Sequence, residues 1–187
     1  MEIKENKFKK IVKKYGVLSM ACVFAVAIAV TVAFGSASPD VEEPVSTVNV
    51  EFGLPMADAT IVKDYSEEFL QFNENLNRWE IHLALDMTAE NATVMSVSDG
   101  VVASIETNSL DGNIVTVNHA DGFVSVYSSL DDEIAVSVGQ SVMKGQKIGE
   151  ASISAANEAA VGGHLHFALF KDGVEVDPNN YLDLQNK

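Results

Sequence analysis

The sequence predicts an all-β domain, an antiparallel sandwich or flattened barrel, preceded by one N-terminal transmembrane helix. Three observations predict it. Runs of β-branched residues recur between Asp-Gly dipeptides from residue 87 onward, as paired strands joined at tight turns do. A glycine-spaced stretch, residues 136–149 (VSVGQSVMKGQKIG), has the composition of a tightly turned β unit. Residues 17–34 (VLSMACVFAVAIAVTVAF) form an uncharged apolar run long enough to cross a bilayer as a helix.

The elements follow in order. Residues 1–15 carry Lys4, Lys7, Lys9, Lys10, Lys13 and Lys14 against only Glu2 and Glu5, and form a basic tip. Residues 16–36 are the anchor. Basic residues crowd its N-terminal side and acids follow its C-terminal side, so the tip is expected in the cytoplasm and the remainder outside. Gly35-Ser36-Ala37-Ser38 is a small-residue stretch of the kind a signal peptidase accepts, which is the rival reading. The apolar run exceeds a usual signal core, and an uncleaved single-pass anchor is therefore expected. Residues 37–60 read as a spacer, acidic and proline-bearing at its start (PDVEEPVSTVN). Residues 61–187 form the exposed domain, with its core at 79–181.

Within that domain, residues 101–105, 114–117 and 123–127 are predicted strands, each following an Asp-Gly pair: Asp99-Gly100, Asp111-Gly112 and Asp121-Gly122. Residues 66–75 (SEEFLQFNEN) are predicted to form a helical turn or two with Ser66 as the cap. Residues 152–161 (SISAANEAAV) read as a loop.

Charge and cysteine narrow the class further. The chain holds 27 acidic and 12 basic residues, a formal net charge of −15. With half of the basic residues in the tip, the exposed domain is strongly acidic, which excludes nucleic acid as a partner. Its one cysteine, Cys22, lies in the apolar run, so no intrachain disulfide supports the fold.

Three of the four histidines fall in two groups, His82-Leu83-Ala84-Leu85-Asp86 and His164-Leu165-His166. On a strand, residues two apart share a face, so His164 and His166 project together. A histidine and a carboxylate from one segment plus a histidine from the other make three ligands, the number that leaves a zinc ion one open, catalytic position.

These groups stand within a longer series. It runs from His82 and Asp86 through Asp99-Gly100-Val101-Val102, Gly112-Asn113-Ile114-Val115 and His119-Ala120-Asp121-Gly122. It continues with Tyr127-Ser128-Ser129-Leu130, Val138-Gly139 through Gly149, Gly163-His164-Leu165-His166-Phe167 and Asp177-Pro178. In residues and order the series resembles the M23 (LytM/lysostaphin-type) peptidase domain, from about Trp79 to Tyr181. The resemblance implies one Zn2+ per chain on His82, Asp86 and His166, with His164 as one of two histidines flanking the metal-bound water. The second of these belongs to a Y-x-H-L motif, and here Ser129 stands in its place. Ala168 also replaces a residue that is often glutamate in the family. His119 sits beside a turn and is read as structural.

An imidazole carries protons near neutral pH and a serine hydroxyl does not. Loss of one such group costs about 10²–10³ in rate, so the domain is expected to be weak or inactive as a peptidase.

The layout also resembles the engulfment-stage sporulation branch of M23-like proteins, with its basic tip, single anchor, short spacer and degenerate site. Residues 62–66 (VKDYS) and 77–82 (NRWEIH) strengthen that likeness. It implies a forespore membrane protein whose partner is the extracytoplasmic domain of a mother-cell membrane protein, as part of a docking or channel assembly. The alternative is an active zinc endopeptidase cutting peptidoglycan cross-links.

Overall fold

The structure is a computed structural model and describes residues 50–184. The basic tip, the apolar run expected to be a transmembrane helix, and the spacer up to residue 49 lie outside the described residues. No helix among the described residues is long and apolar enough to cross a membrane.

The described residues form twelve strands: β1 (Thr60–Lys63), β2 (Ser66–Asn73), β3 (Arg78–His82), β4 (Leu85–Thr88), β5 (Thr93–Met95), β6 (Gly100–Asn108), β7 (Gly112–His119), β8 (Phe123–Leu130), β9 (Ser141–Val142), β10 (Lys147–Glu150), β11 (Leu165–Lys171) and β12 (Val174–Val176). Short 3₁₀ turns occupy Ala120–Gly122, Ala156–Val161 and Pro178–Asn180. Eight strands form one sheet in the order β1-β4-β11-β8-β7-β6-β9, with β12 paired to β11. Every pairing in it is antiparallel. Two further ladders, β5 with β10 and β2 with β3, complete an all-β architecture.

The alternation read from the sequence sets the faces. Leu85 and Met87, Val115 and Val117, Phe123 and Tyr127, and Leu165, Phe167 and Leu169 are buried in one hydrophobic cluster. Val94 of β5 and Ile148 of β10 belong to the same cluster, so the small ladder closes over the inner face of the large sheet. Asp86, Ser128 and His166 alternate with these residues and pair across neighbouring strands. They therefore share the opposite face.

Two of the Asp-Gly pairs behave as the sequence predicts. At Asp121-Gly122 both residues adopt positive φ, 53° and 72°, and lead from β7 into β8. Gly112 has φ 73° where β6 turns into β7. Asp99-Gly100 differs. Gly100 opens β6 with no positive φ, and it is glycine for another reason. A Cβ there would collide with the Asn118 carbonyl, the His119 ring and Val117 on β7.

The helical expectation for residues 66–75 is corrected: residues 66–73 are strand β2. The Ser66 hydroxyl does accept the amide hydrogen of Phe69, as a helix cap would, but it also donates to the Phe69 carbonyl. The result is a bulge between Ser66 and Gln71, not a helical turn. Pairing with β3, including a Phe72–Trp79 ring contact with centroids 5.4 Å apart, overrides the local signal.

The end of the span read as spacer also packs on the domain. Met56 is buried, and Val50, Phe52 and Leu54 pack against the core. The Gly53 amide donates to the Val97 carbonyl, and the Met95 amide to the Pro55 carbonyl.

Candidate metal centre

The site is built where β4 and β11 pair on the outer face of the large sheet. Asp86 and His166 lie directly opposite each other in register. His166 Nδ1 is 2.8 Å from Asp86 Oδ1. His82 arrives from the end of β3, and its Nδ1 hydrogen is donated to the Asp64 carbonyl over 2.9 Å. That bond fixes the tautomer and leaves Nε2 as a free lone pair, 3.4 Å from Asp86 Oδ1. The structure thus brings together the three residues that the sequence assigns to a metal.

His164 lies just ahead of β11 and is completely buried. Its Nδ1 hydrogen goes to the Gly162 carbonyl, 2.8 Å away, and its Nε2 lies on the site side, 3.8 Å from Glu158 Oε2.

Ser129 is completely buried, with φ of 60° in the left-handed region that few serines adopt. Its hydroxyl donates to the Ser152 carbonyl over 2.9 Å, and its own carbonyl accepts from the Ser152 amide and hydroxyl. The side chain is therefore committed to tying β8 to the segment that follows β10. Ala168 is buried in β11.

One residue of this group escaped the sequence reading. Glu158, in the 3₁₀ turn Ala156–Val161, reaches in beside the histidines and is itself 5% exposed. Its Oε2 is 2.8 Å from His166 Nδ1 and 3.8 Å from His164 Nε2. Its Oε1 is 3.6 Å from His82 Nε2 and 2.8 Å from the Lys63 ammonium on β1. The available signal was thin: Glu158 is the single charged residue in residues 152–161, and Lys63 is the lone basic residue between positions 50 and 77. Beside the turn, a cleft of about 300 Å³ opens between it and the β2–β3 hairpin, lined by Lys63, Gln71, Phe72, Asn73 and Glu158 among others.

Electrostatics follow from this packing. Burial alone would raise the Glu158 carboxyl pKa. The His164 and His166 imidazoles and the Lys63 ammonium outweigh burial and hold it far below the usual carboxylate range. Asp86 behaves alike: burial opposes ionisation, and His166 and His82 more than compensate. Burial would depress His166, yet the hydrogen bonds and charges of Asp86 and Glu158 push it up to about 10. His164 is raised as well, with burial outweighed by Glu158 and the Gly162 carbonyl.

The donor set fits a metal ion. Ligand atoms of His82, Asp86, Glu158 and His166 all lie within 4.8 Å of one another. His82 Nε2, Asp86 Oδ2 and His164 Nε2 are buried without a hydrogen-bond partner. Buried polar atoms ordinarily have partners, and a zinc-type cation takes imidazole nitrogen and carboxylate oxygen.

His119 lies elsewhere. Its Nδ1 bonds the Asp99 carbonyl and its Nε2 the Ser125 hydroxyl, which in turn bonds the Tyr127 hydroxyl. Tyr127 accepts the Val97 amide hydrogen, so this chain of contacts ties β7, β8 and the residues after β5 together.

Comparison with known proteins places this arrangement in a family. The model for Peptidase family M23 matches residues 80–178, more than half of the chain. The chain belongs to peptidase family M23. Among M23-like relatives, it is 34% identical over 110 residues to Stage II sporulation protein Q of Bacillus subtilis (strain 168). That match takes in 57% of this chain and 38% of the relative, so this chain spans well under two thirds of the relative's length. It is 29% identical over 98 residues to the peptidoglycan DD-endopeptidase ShyC of Vibrio cholerae, covering 52% of this chain and 22% of the relative. In structure it resembles a chain of the SpoIIQ-SpoIIIAH pore forming complex, with a TM-score of 0.62 and 27% identity over 72% of this chain and 92% of that one. A zinc containing peptidase from Vibrio cholerae is similar at TM-score 0.57 and 28% identity, over 68% of this chain and 39% of that chain.

Proposed function

We propose that this M23 domain binds one Zn2+ through His82, Asp86 and His166 and serves as a docking module with little or no hydrolytic activity. In this reading residues 16–36 anchor it in the forespore membrane with the tip in the cytoplasm. The domain faces the extracytoplasmic domain of a mother-cell membrane protein like SpoIIIAH. The observation that carries the reading is the likeness, over 92% of that chain's length, to a chain of the SpoIIQ-SpoIIIAH complex. Ser129 supports the loss of catalysis. Its hydroxyl is buried and already donated, so it has no proton to exchange with a bound peptide.

When bound, zinc acidifies a coordinated water and polarises a carbonyl. The chain's own part is orientation. The Asp64 carbonyl fixes the His82 ring and the Gly162 carbonyl fixes the His164 ring. Pairing of β4 with β11 sets Asp86 opposite His166.

A second reading, a working endopeptidase acting on peptidoglycan, is favoured by the retention of His164 beside the candidate ligands and by the similarity to ShyC. Two measurements separate them. The purified exposed domain should bind the purified extracytoplasmic domain of a SpoIIIAH-like protein from the same organism in calorimetry, and should release no fragments from purified peptidoglycan. Chelator-sensitive release would establish the second reading. Absence of binding would remove the first.

A further inference from the structure

We propose that Glu158 is a fourth, resident metal ligand that closes the site, so that the ion is held by four protein groups with no position open to substrate or water. This rests on the metal reading above and adds what the Glu158 turn does to it.

The geometry is specific to Glu158. Its two oxygens straddle the candidate ligands, Oε2 beside His166 Nδ1 and Oε1 beside His82 Nε2, within 4.8 Å of Asp86 as well. On the same residue group, His82 Nε2, Asp86 Oδ2 and His164 Nε2 are buried and without a hydrogen-bond partner, and those residues are each 5% exposed or less. Two carboxylates buried this closely repel one another, and a dication between them removes that cost.

The turn carrying Glu158 is tied down on both sides. The Asn157 amide donates to the Leu110 carbonyl, and the Ala160 amide donates to the Asn75 side chain of the β2–β3 turn. Lys63, 13% exposed, bonds Oε1 at 2.8 Å and holds the carboxylate in place as a positioning residue. A side chain on a flexible loop would be a weak ligand; this one is held before any ion arrives. Closed four-ligand zinc sites are structural, whereas catalytic sites keep one position for water. Loss of catalysis would then have two independent causes, Ser129 and Glu158, of which only Ser129 was visible as a motif change.

The test uses the purified exposed domain, residues 50–187, which contains every described strand, loaded with Co2+ as a spectroscopic stand-in for zinc. Azide is the probe for an open position. The wild-type cobalt visible spectrum should not change with azide. In Glu158→Ala it should shift on titration with azide, and metal should be lost to a competing chelator at least about tenfold faster, since even outer-shell partners cost 10–100-fold in affinity. Glu158→Gln keeps the side-chain shape and provides the same comparison if the alanine variant fails to fold. Lys63→Met should accelerate metal loss without opening the site to azide. An azide-responsive wild-type spectrum would overturn the closure while leaving the three-ligand site standing. Failure of the wild-type domain to bind cobalt or zinc at all would remove the metal reading, and the closure with it.

Discussion

Ser129 and Glu158 together decide what a single substitution can restore. Ser129→His supplies the M23-motif imidazole that this chain lacks, but it leaves in place a carboxylate 2.8 Å from His166 and 3.6 Å from His82. Ser129→His alone is therefore expected to leave peptidoglycan hydrolysis undetectable. Ser129→His combined with Glu158→Ala should give measurable, chelator-sensitive release of wall fragments. A turbidity assay on purified walls checks both, and hydrolysis by the single variant would show that the site is open. Tyr127 tests a different kind of residue. Its hydroxyl accepts the Val97 amide hydrogen in a completely buried position. Tyr127→Phe leaves that amide unpaired and should cost about 1–3 kcal/mol of stability, measured by urea denaturation, with metal content unchanged.

At the scale of elements, the β6–β7 pair and the β2–β3 hairpin show opposite relations to the sequence. β6 and β7 follow from alternation and from a glycine that permits close approach. Gly100→Ala should push the strands apart at Asn118 and cost about 1–3 kcal/mol, the usual range for overpacking. Denaturant midpoints of the two proteins measure it. The β2–β3 hairpin was not legible. Ser66 capped locally as a helix start would, and only the partner strand, with Trp79 laid against Phe72, made the segment extended. Trp79, the single tryptophan, is 64% exposed there. Its emission should be that of a water-exposed indole and should be readily quenched by acrylamide; a blue-shifted, protected emission would contradict this placement.

For the whole molecule, metal and pH are linked. His166 is raised to about 10 by Asp86 and Glu158. In the metal-free domain its stabilising contribution is fully present below its unfolded pKa of about 6.5, and it is lost as pH rises through about 10. Glu158 and Asp86 are depressed, so their contributions hold above roughly pH 4 and fade as pH falls through their lower folded values. Metal binding requires His166 to give up its proton, so affinity should rise by up to about tenfold per pH unit between roughly pH 7 and 10. The melting-temperature gap between zinc-loaded and chelated protein should therefore widen with pH across that window. At a free zinc concentration of about 100 Kd the gain is about 2.7 kcal/mol, or roughly 10 °C for a domain of this size. A gap that narrows as pH rises would contradict the assignment of His166 as a ligand.

Much of the molecule was written locally. The strands from residue 100 to 130, the turn at Asp121-Gly122, and the pairing of His164 with His166 follow from periods of two and from residues that tolerate positive φ. The three candidate ligands and the missing histidine were readable because they sit in short motifs at fixed spacing. Glu158 was not readable, because it stands alone among small residues and gains meaning only when a 3₁₀ turn carries it across β4 and β11. Lys63 likewise meets Glu158 only across the sheet edge, 95 positions away. The packing of residues 50–56 against the core shares that cause, since contacts between distant segments leave no periodic trace in either one. The sequence by itself determined an all-β M23 domain with Ser129 where the family motif has a histidine. Only the tertiary structure decided that a carboxylate lies beside the histidines, because that depends on where the turn Ala156–Val161 comes to rest against β3 and β11.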